Sequence, residues 1–125
     1  MWPFIKKPNI LVRVHTAYFN NIMELSHEPY YFINILNIDK SRDIVISDIR
    51  CHHWPKNTTV YQSERPLPVK VTPGEQWETW ISLDKIGKEA YEDFYITFST
   101  DKRTYTCRST RRTNVPNSGT VPGGK

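Results

Sequence analysis

The sequence predicts an all-β protein, a seven-stranded antiparallel β-sandwich with a short helical crossover before the sixth strand. Three observations predict it. Val, Ile, Thr and Tyr are plentiful, Ala is scarce and 13% of the residues are aromatic, a bias that favours pleated surfaces over helices. Apolar residues recur at period two in short runs. Turn signals rich in Asn, Asp, Pro and Gly separate those runs. The 125 residues are of single-domain size, and 38% hydrophobic with 24% charged content is globular in composition.

The elements follow in order. Residues 1–8 form an N-terminal arm, residues 9–112 the sandwich, and residues 113–125 a tail that is poor in apolar residues and expected to be disordered. The first strand starts at Ile10, with Ile10, Val12 and Val14 alternating with Leu11, Arg13 and His15. YYFINILNI is dense enough to be a central strand. The polar turn Asp39–Asp43 predicts a hairpin from it into DIVISDIRCHHW, where Val45, Ile49 and Cys51 share one parity and Ile44, Ile46, Asp48, Arg50 and His52 the other. A long loop from Trp54 to Pro66 follows, and Pro66 and Pro68 keep PVKV short and at an edge. Thr72-Pro73-Gly74-Glu75 suits a type II turn. One or two helical turns are expected between Asp84 and Asp93 behind an Asp cap, and FYITFST and TYTCRST close the domain as a hairpin.

VTPGEQWETWISL holds two tryptophans three residues apart, so in a strand they point to opposite faces. Trp77, Thr79, Ile81 and Leu83 form the core face, which leaves Trp80 outward with Gln76, Glu78 and Ser82. Either face of YYFINILNI leaves apolar side chains outside.

Charge is unevenly placed. Residues 1–101 carry 11 Lys and Arg against 13 Asp and Glu, whereas residues 102–125 carry 6 Lys and Arg and no acid. Such a basic end points to an acidic partner, nucleic acid or solubilisation. MWPFIKKP lacks the apolar stretch of a secretory signal, and no run reaches the roughly 20 apolar residues of a spanning helix, so a cytoplasmic protein is expected. Trp2, Phe4 and Ile5 beside Lys6 and Lys7 could touch a membrane interface, although folding back over the sandwich is the simpler fate of the arm.

The residues that could carry chemistry each have a plainer reading. Cys51-His52-His53 is the one metal-like run, yet in a strand Cys51 and His53 share a face while His52 points away. Cys51 sits on an apolar face, where a thiol is inert, with no oxyanion nest beside it. Carboxylate pairs such as Asp39 with Asp43 lie in turns, and no glycine loop cradles phosphate. No catalytic, cofactor or metal site is therefore expected, and the protein is not read as an enzyme. The basic residues Lys102, Arg103, Arg108, Arg111 and Arg112 flank Tyr105, which more simply faces the core with Cys107. Nucleic-acid contact through this segment is the alternative, with a solvated edge strand as the plainer reading.

The combination of FINILNID, VTPGEQWETWI and a helical corner before FYITF resembles bacterial immunoglobulin-like and fibronectin-III-like modules over residues 9–110. The marks in common are an apolar strand ending in an Asn-polar turn and a Pro-Gly-Glu turn before a strand. The inter-sheet cysteine pair of antibody domains is missing, and Tyr91 or Tyr95 could serve as the tyrosine corner. The resemblance implies a binding or spacer module and neighbouring second and fifth strands. Trp80 would then sit beside Phe32 and Leu36, with Arg13 and His15 at the rim. The expected function is docking of a partner protein, or of a second copy, through that outer face.

Overall fold

The structure, a computed structural model, describes residues 7–18, 29–101 and 103–109. Among these, eight strands form two antiparallel sheets, an arrangement consistent with a sandwich: β1 (Ile10–Tyr18), β2 (Pro29–Asn37), β3 (Ile44–Cys51), β4 (Thr58–Thr59), β5 (Val69–Val71), β6 (Gln76–Ser82), β7 (Phe94–Ser99) and β8 (Thr104–Arg108). One sheet has the order β1-β2-β6, the other β4-β3-β7-β8 with β5 also paired to β3. The extra strand relative to the seven expected is Thr58–Thr59, which lies in the loop after Trp54 and pairs with Arg50 and Cys51. Most of the N-terminal arm, the whole tail 113–125, Lys102, Arg111 and Arg112 lie outside the described residues.

Alternation in the sequence decides which side chains are buried. Val12 and Val14 of β1, Tyr31, Ile33 and Ile35 of β2 and Ile81 of β6 meet Ile44, Ile46, Ile49, Cys51, Phe94, Ile96 and Phe98 from the other sheet in one core. Strand β3 departs from simple parity. Ile44 and Ile46 are buried and so are Ile49 and Cys51, although the two pairs have opposite parity. The pairing with β7 shifts between Ile46 and Asp48, so Ser47 is the extra residue of a β-bulge that turns both apolar pairs inward.

The Asp39–Asp43 turn does not make a hairpin. Both edges of β2 are taken, by β1 and β6, and the turn instead carries the chain from one sheet to the other. Asn37 fixes that passage. Its buried amide nitrogen donates to Arg42 O and to Val71 O, both at 2.9 Å, and its Oδ1 accepts from the Asp39 N–H at 3.0 Å. Asp39 then accepts from the N–H groups of Asn9, Ser41 and Arg42 and pairs with the Arg42 guanidinium at 3.0 Å.

The expected turn at 72–75 is present. Glu75 N–H donates to Thr72 O at 2.9 Å and Gly74 has φ of 86°, a left-handed value that glycine accepts without a Cβ penalty. The crossover consists of α1 (Leu83–Ile86) and a 3-10 turn at Tyr91–Asp93. Its cap is Ser82 and not an Asp: the Ser82 hydroxyl accepts from Asp84 N–H. The tyrosine that holds the crossover is likewise neither Tyr91 nor Tyr95. Tyr91 is exposed and Tyr95 faces out beside His52, whereas the buried Tyr31 donates its hydroxyl to Gly87 O at 2.5 Å and accepts from Ala90 N–H at 3.0 Å.

Candidate functional site

The register of the three-stranded sheet sets the outward side chains in rows. His15 of β1, Phe32 of β2 and Trp80 of β6 are direct neighbours across the sheet, Arg13, Asn34 and Glu78 form the next row, and Leu11, Leu36 and Gln76 the third. All five residues expected at the docking face (Trp80, Phe32, Leu36, Arg13 and His15) therefore lie on one surface. His15 stacks on Phe32 with centroids 5.6 Å apart and planes within 13°, and Phe32 meets Trp80 at 6.1 Å.

This face is not bare. Phe32 keeps only 2% exposure despite pointing away from the core. Trp80, Leu36, Arg13 and His15 are each partly buried. Burial, with help from Arg13, lowers the His15 pKa, and its buried Nε2 has no hydrogen-bond partner among the described residues.

Part of the cover comes from the loop before β5. Gln62 donates from Nε2 to Trp80 O at 2.8 Å, and Arg65 from Nε to Glu78 O at 3.0 Å. β6 ends its sheet, so these two side chains satisfy edge carbonyls that another strand would otherwise pair. The Arg65 guanidinium also lies 5.0 Å from the centre of the Trp80 ring. Trp80 is thus the outward tryptophan, clamped between Phe32 and Arg65, while Trp77 packs against the core from a partly buried position.

Beside this clamp runs an open groove of about 520 Å³, lined by Asn34, Glu64, Arg65, Gln76, Trp77 and Glu78 among others. Sequence reasoning missed it, because Glu78 in an alternating strand looks like an ordinary solvated acid. Burial instead pushes the Glu78 carboxyl above its usual pKa, with Arg65 pulling the other way.

At the basic end Tyr105 and Cys107 pack against the core, as expected. Arg103 and Arg108 are exposed, and Tyr105 packs inward on Phe98 with centroids 5.5 Å apart. The ring beside Arg108 is Tyr95, at 5.8 Å. Arg108 itself donates to Glu92 O at 2.6 Å and lies 3.8 Å from Asp93, and Arg50 pairs with Asp48 at 2.8 Å.

Burial pushes the Cys51 thiol up to about 12, and His53 Nδ1 lies 2.7 Å from Asp93 Oδ2. Among the described residues no three His, Cys, Asp or Glu side chains gather where an ion could be held, and no helix is long and apolar enough to cross a membrane. Among the described residues the most exposed large apolar side chain is Trp54, at 79%, a loop-tip residue the sequence did not single out. Scans of protein families, of curated proteins and of solved structures return no match to this chain.

Proposed function

We propose that this protein is a non-enzymatic interaction module of immunoglobulin-like or fibronectin-III-like type, working in the cytoplasm and docking a partner protein or a second copy through the outer face around Trp80. The strand orders β1-β2-β6 and β4-β3-β7-β8, with a helical crossover ahead of β7, support that fold reading. The observation that carries the functional reading is the row His15–Phe32–Trp80 with Arg65 over the last ring. Aromatic side chains grouped with an arginine are what interface centres are made of. Phe32 serves this face as buried support, and Trp80 and Leu36 as its contact residues.

Nucleic-acid contact through residues 102–112 draws less support. Arg108 donates to Glu92 O and lies 3.8 Å from Asp93, and Tyr105 packs into the core instead of offering a stacking platform.

Trp80→Arg tests the reading. Its circular dichroism should match the wild type, while the solution mass by light scattering should drop to the 14.8 kDa monomer from a larger wild-type species. An association that survives the substitution would remove Trp80 from the interface. A wild type that is itself monomeric removes the second copy as occupant.

A further inference from the structure

His15 closes one end of the outward row, with Phe32 directly across on β2 and Trp80 beyond it on β6. Its imidazole lies almost parallel to the Phe32 ring, with 5.6 Å between centroids and 13° between planes. Nε2 is buried there, and among the described residues nothing bonds to it.

A neutral imidazole tolerates that position, because only one of its nitrogens carries a hydrogen and Nε2 can stand as an unmatched acceptor. Imidazolium carries a hydrogen on both nitrogens. Nε2–H would then be a buried, charged donor with nothing to receive it, a worse mismatch than the neutral one.

The surroundings do not relieve the charge. On β1 the preceding side chain of the same face is Arg13, a second cation. On β2, Tyr30 and Asn34 flank Phe32 with a phenol and an amide. Glu78 of β6 is the one carboxylate that the three strands place on this face, and it lies in the next row, across Asn34 from Arg13. The loop over Trp80 brings a further cation, Arg65. The face of Phe32 attracts a cation, but only modestly beside the loss of solvation. Burial first, and Arg13 second, lower the His15 pKa, the direction the geometry dictates.

We infer that His15 is a proton switch for the docking face: neutral, it completes the row His15–Phe32–Trp80, and on taking up a proton its ring leaves Phe32 for solvent and the row opens. The inference rests on the docking reading for its consequence, the loss of the surface that holds the partner. The sign follows from linkage. An opened chain takes the proton at the ordinary value of about 6.5 and the stacked form only at lower pH, so the stack is fully favoured above about pH 6.5 and is lost as pH falls below it.

The test is an NMR titration of the full chain, labelled with ¹³C and ¹⁵N, from neutral to acidic pH. The His15 ring should titrate with a midpoint below about 6.5. Nuclear Overhauser contacts between the rings of His15 and Phe32 should be present above that midpoint and lost below it. The Trp80 indole N–H should shift with the same midpoint. In His15→Phe, which keeps a ring on Phe32 but cannot take a proton, that shift should disappear. A His15 midpoint at or above the ordinary value, or a ring-to-ring contact that survives protonation, would overturn the inference. Both are read on the wild type, so they hold even if His15→Phe fails to fold. A Trp80 shift that persists in folded His15→Phe overturns it too. The docking reading fails separately, by an association at neutral pH that Trp80→Arg leaves intact.

Discussion

The phenol of Tyr31 lies in the core and spends both of its hydrogen-bonding functions on backbone, donating to Gly87 O and accepting from Ala90 N–H. Tyr31→Phe keeps the ring packing against Phe94 but leaves both backbone groups short of a partner. It should cost about 1–3 kcal/mol, read as a lower urea midpoint at unchanged slope. Asp39 makes a prediction about pH. The Arg42 side chain first, then the N–H groups of Ser41, Asn9 and Arg42, hold its carboxyl well below the usual range. A depressed folded pKa means that folding releases a proton, so the stabilisation is complete above the ordinary value of ~3.9 and is lost as pH falls through the folded value. The stability gap between wild type and Asp39→Asn should be open at neutral pH and close below about pH 4. A gap that is the same at both pH values would show that Asp39 contributes no proton linkage.

At the scale of the element, β3 shows how one residue sets the fate of a strand. Ser47 is the residue by which Ile44 and Ile46 on one side of the bulge, and Ile49 and Cys51 on the other, all reach the core. Deleting Ser47 would restore simple alternation and force one of those pairs into solvent. Exposing two such side chains costs about 3–6 kcal/mol, a large part of a typical domain's stability. The deletion should show no cooperative thermal transition or a strongly lowered one by circular dichroism, while Ser47→Ala should stay near wild type. Simple alternation cannot be reconciled with both buried pairs, which is why parity alone misassigns β3. The turn after β2 was misread for a related reason: Asp, Lys, Ser and Arg suit a hairpin and a passage between sheets equally well. What decides between them is where the Asn37 amide bonds, to Arg42 O and Val71 O, and those partners are distant in sequence or hidden in backbone.

For the whole molecule, the two-sheet architecture, the turn at 72–75, the crossover and the β7–β8 hairpin were legible because each rests on local patterning. The outward direction of Trp80 was legible from alternation, and its pairing with Phe32 from the likeness to sandwich modules. The burial of Phe32 was not, since it depends on what lies over the sheet. The clamp by Gln62 and Arg65 was hidden as well, because a loop's side chains find strand carbonyls only once the loop is folded. The same holds for the groove: Asn34, Glu64 and Glu78 are far apart in sequence and meet only through sheet register and loop placement.

The two polar anchors of β2 have a mechanical consequence. Asn37 ties one end of the strand to Val71 in the opposite sheet, and Tyr31, near the other end, ties it to the crossover that leads into β7. Between them, among the described residues, the sheets meet through closely packed apolar side chains, whose contacts are not directional. The anchors act as rivets. A pull that shears one sheet along the other should therefore load these directional bonds together with the packing between them, and pulling experiments on Asn37→Ala and Tyr31→Phe should show a lower unfolding force than the wild type.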